Sequence, residues 1–218
     1  MTLHLSKLFW GVLLVILFGS CQKNDPIPPS NNPVNNNSDS TCNYFAYTTG
    51  STFNYSMPNG TIMETVLGDT VINGVTCKKV LHNTTDNGLS QSTLLFPSCS
   101  NGVYSYKNFF IPSLNIVIDE LIYLRENVSP GTQWSNSFFN ATGTSIEYRY
   151  SYAGEEPSKT INNKTFLNVK VVNLSIYANY SGTPVFVGSS TSFYAEGVGL
   201  IQNTSSNSNI YITSYNIL

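Results

Sequence analysis

The stretch Glu147-Tyr148-Arg149-Tyr150-Ser151-Tyr152 alternates without a break, placing Tyr148, Tyr150 and Tyr152 on one face of an extended chain. Val169 to Tyr180 carries the same signature further. Val169 and Val171 share one phase, whereas Val172, Leu174, Ile176 and Ala178 share the other. That slip predicts a β-bulge near Val171, because one extra residue inverts which side chains face the core. From Asn43 onward Tyr, Phe, Val, Ile and Thr dominate, as strands prefer. Gly, Pro, Asn-Gly or Asn-Asn interrupt the apolar runs about every ten residues, and Asn209 to Ile217 reads as a last strand. Many short strands with regular turns predict an all-β antiparallel sandwich or barrel.

Two halves of this region resemble each other. Gly50-Ser51-Thr52-Phe53 parallels Gly131-Thr132-Gln133-Trp134, an aromatic at a strand start just after a turn. Val71-Ile72-Asn73-Gly74-Val75-Thr76 parallels Thr160-Ile161-Asn162-Asn163-Lys164-Thr165. In each, the central pair suits a two-residue hairpin loop that needs left-handed backbone. The expectation is two related β-meanders sharing one core.

Charged residues make up 10% of the chain, against a usual figure of about 25%. Without residues 1–20 the formal charge moves from −2 to −3, since one basic residue, Lys7, lies in that segment. No basic patch is present, so a nucleic-acid partner is not expected. Asn, Ser and Thr carry the polarity instead.

At the N-terminus Lys7 precedes an apolar run, Leu8 to Phe18, of 11 residues. That is too short for a bilayer core, which needs about 20. It suits a secretory signal. Gly19-Ser20-Cys21 follows, and the whole resembles a bacterial lipoprotein signal, in which the leader (residues 1–20) is removed and Cys21 carries the lipid. The resemblance implies acyl attachment, palmitate among the chains, and membrane as a partner. Each buried methylene contributes about 0.8 kcal/mol, so two or more chains hold firmly. Gln22-Lys23-Asn24-Asp25 is similar to the export tag of Bacteroidota surface lipoproteins, which implies an outer-membrane, surface-exposed address. Residues 21–42 hold Pro26, Pro28, Pro29 and Pro33 and an asparagine cluster, and read as a disordered tether. Residues 43–218 then form the β domain.

Tyr44-Phe45, the Gly-x-x-aromatic turns, the Thr70-Val71-Ile72-Asn73-Gly74 hairpin and Phe193-Tyr194-Ala195-Glu196-Gly197-Val198-Gly199-Leu200-Ile201 resemble a loose group of uncharacterised Bacteroidota lipoproteins. The resemblance implies a curved antiparallel sheet or half-barrel and no particular activity.

Three other cysteines remain, Cys42, Cys77 and Cys99. Asp86-Asn87-Gly88-Leu89 reads as a hairpin turn. Counting outward places position 77 opposite 98, next to Cys99. A Cys77–Cys99 disulfide is therefore expected, in an envelope compartment that permits it.

No catalytic constellation emerges. His82 is the sole histidine beyond the leader, which argues against a histidine-rich metal centre. It reads as a solvated residue near a hairpin end. Asp119 and Glu120 would face opposite ways on a strand, Glu155 and Glu156 adjoin Pro157, and Glu64, Glu147 and Glu196 are isolated. Gly197-Val198-Gly199 reads as a tight turn rather than a phosphate loop. No cofactor or metal is expected. Aromatics cluster at Tyr104, Tyr106, Phe109 and Phe110 and at Phe138 and Phe139; they would fill the core, or line a site for a glycan or lipid. The leading expectation is a non-enzymatic binding or accessory module of the envelope, with a glycan, lipid or envelope protein as partner. A glycan hydrolase would need two facing carboxylates, Glu147 or Glu196 among them. A purely structural envelope protein is the third reading.

Overall fold

A computed structural model describes residues 42–111, 116–139, 143–180, 182–206 and 208–218, with the side chain of Tyr180 excepted. Cys21, the leader and all of the tether before Cys42 lie outside the described residues. The described residues form thirteen strands. The first half contributes β1 (Thr52–Met57), β2 (Gly60–Ile72), β3 (Val75–Asp86) and β4 (Leu89–Leu95). Then come β5 (Pro97–Ser100), β6 (Val103–Ile111) and β7 (Ile116–Arg125). The second half contributes β8 (Gln133–Phe139), β9 (Ser145–Ile161), β10 (Lys164–Tyr180), β11 (Thr183–Ala195), β12 (Gly199–Ser205) and β13 (Asn209–Asn216).

Ten strands form one antiparallel sheet, ordered β4-β3-β2-β1-β13-β12-β11-β10-β9-β8, and β5-β6-β7 form a second. The sheets are not closed into a barrel; the fold is a curved sheet with a small sheet packed on it. Two meanders, β1 to β4 and β8 to β13, meet where β1 pairs with β13.

The internal similarity extends to the hydrogen bonds. Gly50 N donates to Val66 O, and Val66 N donates back to Ser51 O. Gly131 N donates to Tyr152 O, and Tyr152 N donates back to Thr132 O. Two residues on, each half has a register slip with a left-handed glycine, Gly68 (φ 143°) and Gly154 (φ 135°). Each following hairpin turns on two residues of positive φ, Asn73-Gly74 and Asn162-Asn163, the geometry that matches strand twist. The bulge expected near Val171 is present, as the β9–β10 register slips between Val171 and Val172. Its extra residue is Ala153, on the partner strand β9.

The core is aromatic. Tyr148, Tyr150 and Tyr152 are buried together, as their alternation predicts. Tyr150 stacks on Trp134, with centroids 5.6 Å apart. Tyr106 stacks on Tyr123 at 4.7 Å, and Tyr123 reaches Tyr194 at 5.9 Å, joining the small sheet to β11. Phe109 and Phe138 are buried, while their neighbours Phe110 and Phe139 are exposed, as alternation on a strand requires.

The two sheets are also stitched by polar contacts. Asn136 on β8 accepts from Ile122 N through Oδ1 and donates to Ile122 O through Nδ2, both at 3.0 Å. One side-chain amide thus supplies the pair of bonds that a neighbouring strand would give β7. Trp134 Nε1 donates to the same Ile122 carbonyl at 3.1 Å.

The expected Cys77–Cys99 disulfide is corrected: Cys42 bonds to Cys99, and Cys77 is a free, buried thiol. The β3–β4 ladder follows the turn only as far as Val80↔Leu95. Pro97 then opens β5 in the other sheet, since proline cannot donate to the ladder and biases Phe96 away from continuing it. Cys99 is carried with β5, where it faces Tyr104. The Cys77 thiol remains beside Ser98, and burial pushes its pKa up. Cys42, at the start of the domain, lies within reach of Cys99, so the bridge fastens the chain's entry point to β5.

Candidate functional site

The outward side chains of β9 to β12 form a polar row. Ser151 is opposite Asn173, Asn173 is opposite Thr191, and Thr191 is opposite Thr204. Alternation puts Tyr150, Tyr152, Leu174 and Ser192 inward, so these four residues share the outer face of four adjacent strands. Ser175 and Ser189 stand opposite each other one row further along. Together with Ser205 and Ser206 they line an open groove of about 490 Å³. That lies within the roughly 300–1,000 Å³ of small-molecule sites.

The groove is pre-ordered by its own bonds. Thr191 Oγ1 donates to Asn173 Oδ1 at 2.9 Å, and Thr204 Oγ1 donates to Thr191 O at 3.4 Å. With Oδ1 engaged, Nδ2 is the donor that Asn173 can offer a ligand. Ser208 N donates to Ser205 Oγ at 3.1 Å and fixes the turn beyond β12. Ser190, 5% exposed, pairs with Leu174 and faces inward with it, so its hydroxyl is not part of the outer face. Every lining residue except Leu174 is Ser, Thr or Asn, so the groove can donate and accept hydrogen bonds but holds no titratable group.

Aromatic side chains flank it. Phe186 lies opposite Tyr177 and meets it edge-on, with centroids 5.8 Å apart. The Arg149 guanidinium sits 4.3 Å from the Tyr177 ring centroid and is held by Glu147 at 2.8 Å. The Arg149 hydrogen bond holds the Glu147 carboxyl below its usual range. On the other flank the Lys159 ammonium lies 3.6 Å from the Phe193 ring centroid.

His82 is corrected from a solvated turn residue to a buried one. It is 4% exposed and directly opposite Glu64, itself fully buried. His82 Nδ1 is 3.0 Å from Glu64 Oε1, and Nε2 is 3.0 Å from Thr84 Oγ1. The Glu64 carboxylate also raises the pKa of Tyr47 and Tyr106, after burial, the main cause. The signal for this pair was partial: His82 shares the phase of the core residue Val80, but counting from the Asn73-Gly74 turn alone sets Glu64 against Asn83, and only the slip between Val66 and Gly68 brings His82 opposite it.

Most of the other glutamates have their own partners. Glu155 meets the buried Lys170 at 3.1 Å, Glu156 meets Lys159 at 3.4 Å, and Glu120 meets Lys107 at 2.5 Å. Glu196 accepts from Asn168. Glu126 accepts from Tyr104 Oη at 2.6 Å and Asn43 Nδ2 at 2.6 Å. Gly197-Val198-Gly199 forms the turn between β11 and β12, as expected. Among the described residues no three His, Cys, Asp or Glu side chains gather as a metal site. Sequence reading missed the groove, because its residues are common ones brought together by register alone.

No family model matches the chain, and no curated protein matches it. Two solved structures share the fold. A candidate lipoprotein from Parabacteroides distasonis superposes with a TM-score of 0.56 at 12% identity, over 82% of this chain and 100% of that one. A candidate exported protein with a YmcC-like fold from Bacteroides fragilis superposes at 0.55 and 13% identity, over 79% of this chain and 98% of that one.

Proposed function

We propose that the chain is a lipid-anchored binding or accessory module of the bacterial envelope, held to the outer membrane through acyl chains on Cys21. The observation that carries this reading is the shared fold. The same architecture serves a candidate lipoprotein and a candidate exported protein, and here it follows a leader and cysteine of lipoprotein type. Residues 21–42 would act as the spacer, and the Cys42–Cys99 bridge would fasten that spacer to the folded body. A binding role is favoured over a glycan hydrolase because the two carboxylates on which hydrolysis would lean are engaged elsewhere. Glu147 holds Arg149, and Glu196 accepts from Asn168.

The test is fractionation of the full chain expressed in a Bacteroidota host. Wild type is expected in the membrane pellet after a carbonate wash, and Cys21→Ala in the soluble fraction. Retention of Cys21→Ala on the membrane would refute the anchor.

A further inference from the structure

Resting on the reading of this chain as a binding module, we propose that the outer-face groove of β9 to β12 binds a linear, neutral oligosaccharide. The row Ser151–Asn173–Thr191–Thr204 crosses four strands, and three gaps of about 4.8 Å make it roughly 14 Å long. That accommodates several sugar rings. Its lining of hydroxyls and an amide both donates and accepts, as a polyhydroxyl ligand does. No lining residue is charged, and the neighbouring Arg149, opposite Ser175, is already engaged by Glu147 at 2.8 Å, so phosphate, sulfate or uronate groups would lose hydration without gaining a free counter-charge. A fatty acyl chain fits worse, because it would leave these hydroxyls covered and unpaired.

Phe186 supplies the second half of the recognition. Along β11 it lies three residues from Ser189, a separation of roughly 7–10 Å. Its ring is 56% exposed and braced edge-on by Tyr177, which Arg149 in turn covers. A sugar lying beside the row, over Ser175 and Ser189, can lay its apolar face on Phe186 while its neighbours bond to Asn173 and Thr191. Apolar stacking beside a short set of fixed polar groups is how small-ligand sites obtain both affinity and orientation.

The experiment is calorimetric titration of the detergent-solubilised full chain with cellohexaose, xylohexaose and mannohexaose, with hexagalacturonate as the acidic comparison. At least one neutral hexasaccharide is expected to bind, and the uronate not. Asn173→Ala and Phe186→Ala, both at exposed positions, should each weaken binding by about fivefold or more, with an unchanged melting temperature. Leu89→Ala on the distant β4 edge, 80% exposed, should bind as wild type. Binding by none of the neutral sugars, equal binding of the uronate, or full affinity in both groove variants would overturn the proposal. Membrane fractionation of the same cells before solubilisation separates the two ideas: a pelleted protein that binds no sugar refutes the ligand class alone, whereas a soluble one refutes the anchor.

Discussion

Glu64 and His82 form a buried polar pair that is costly to disturb one member at a time. The carboxylate is fully buried and faces the imidazole across the β2–β3 ladder. Removing one member of such a buried pair leaves the other a buried polar group short of a hydrogen bond, which typically costs about 1–3 kcal/mol. Glu64→Ala is therefore expected to lose stability on that scale in urea unfolding, with an unchanged m-value. A loss under about 1 kcal/mol would mean that the pair is not a buried contact. At this scale the sequence was read unevenly. The inward phase of Tyr148, Tyr150 and Tyr152 was legible because alternation is a local property. His82 was not, because its burial depends on a partner 18 positions away and on the slip between Val66 and Gly68 that sets their register.

Among the elements, the hairpins were the most legible features and the strand that changes sheets the least. Asn73-Gly74, Asp86-Asn87-Gly88 and Asn162-Asn163 mark turns because few residues tolerate their backbone, a constraint visible in any sequence. The break at Phe96-Pro97 looked like a continuing strand, and that concealed the true partner of Cys99. The groove was silent for a related reason, since Ser, Thr and Asn on a strand signal no particular neighbour until the ladder is known. The β2–β3 pairing makes its own prediction through Gly60. A Cβ there would fall 1.7 Å from the Thr85 carbonyl oxygen, a backbone atom that cannot swing aside. Gly60→Ala should thus force the strands apart and destabilise by about 1–3 kcal/mol or more, read as a lower melting temperature. An unchanged melting temperature would contradict the close approach of β2 and β3.

Taken whole, the molecule is a pair of meanders wrapped around buried phenols, and this sets its response to pH. Burial raises the pKa of Tyr47, Tyr106, Tyr148, Tyr150 and Tyr194 above the ordinary phenol value of about 10. For Lys170, burial is the largest single influence and pulls downward, but Glu155 and Tyr152 together outweigh it and its pKa is also raised. A group whose folded pKa is raised contributes stability that is fully present below its unfolded pKa and is lost as pH climbs. Alkaline unfolding is therefore expected from about pH 10 upward, with no matching loss from these groups at neutral pH. Tyrosine absorbance followed with circular dichroism should show exposed phenols titrating first, then a steep second step as the strands melt. A single smooth titration of all tyrosines, with the sheet intact, would contradict the buried-phenol core. Composition made the aromatic core legible, and the repeated turns made the two halves legible. Their joining through β1 and β13 was not, because pairing between the first and last strands leaves no local trace.

The claim on which the rest depends is that this body works while fastened to a lipid surface by Cys21. Mass spectrometry of the native, membrane-purified protein addresses it directly. The expected result is an N-terminal peptide that begins at Cys21 and carries acyl-glyceryl modification. An intact leader, or an unmodified cysteine at that position, would contradict it.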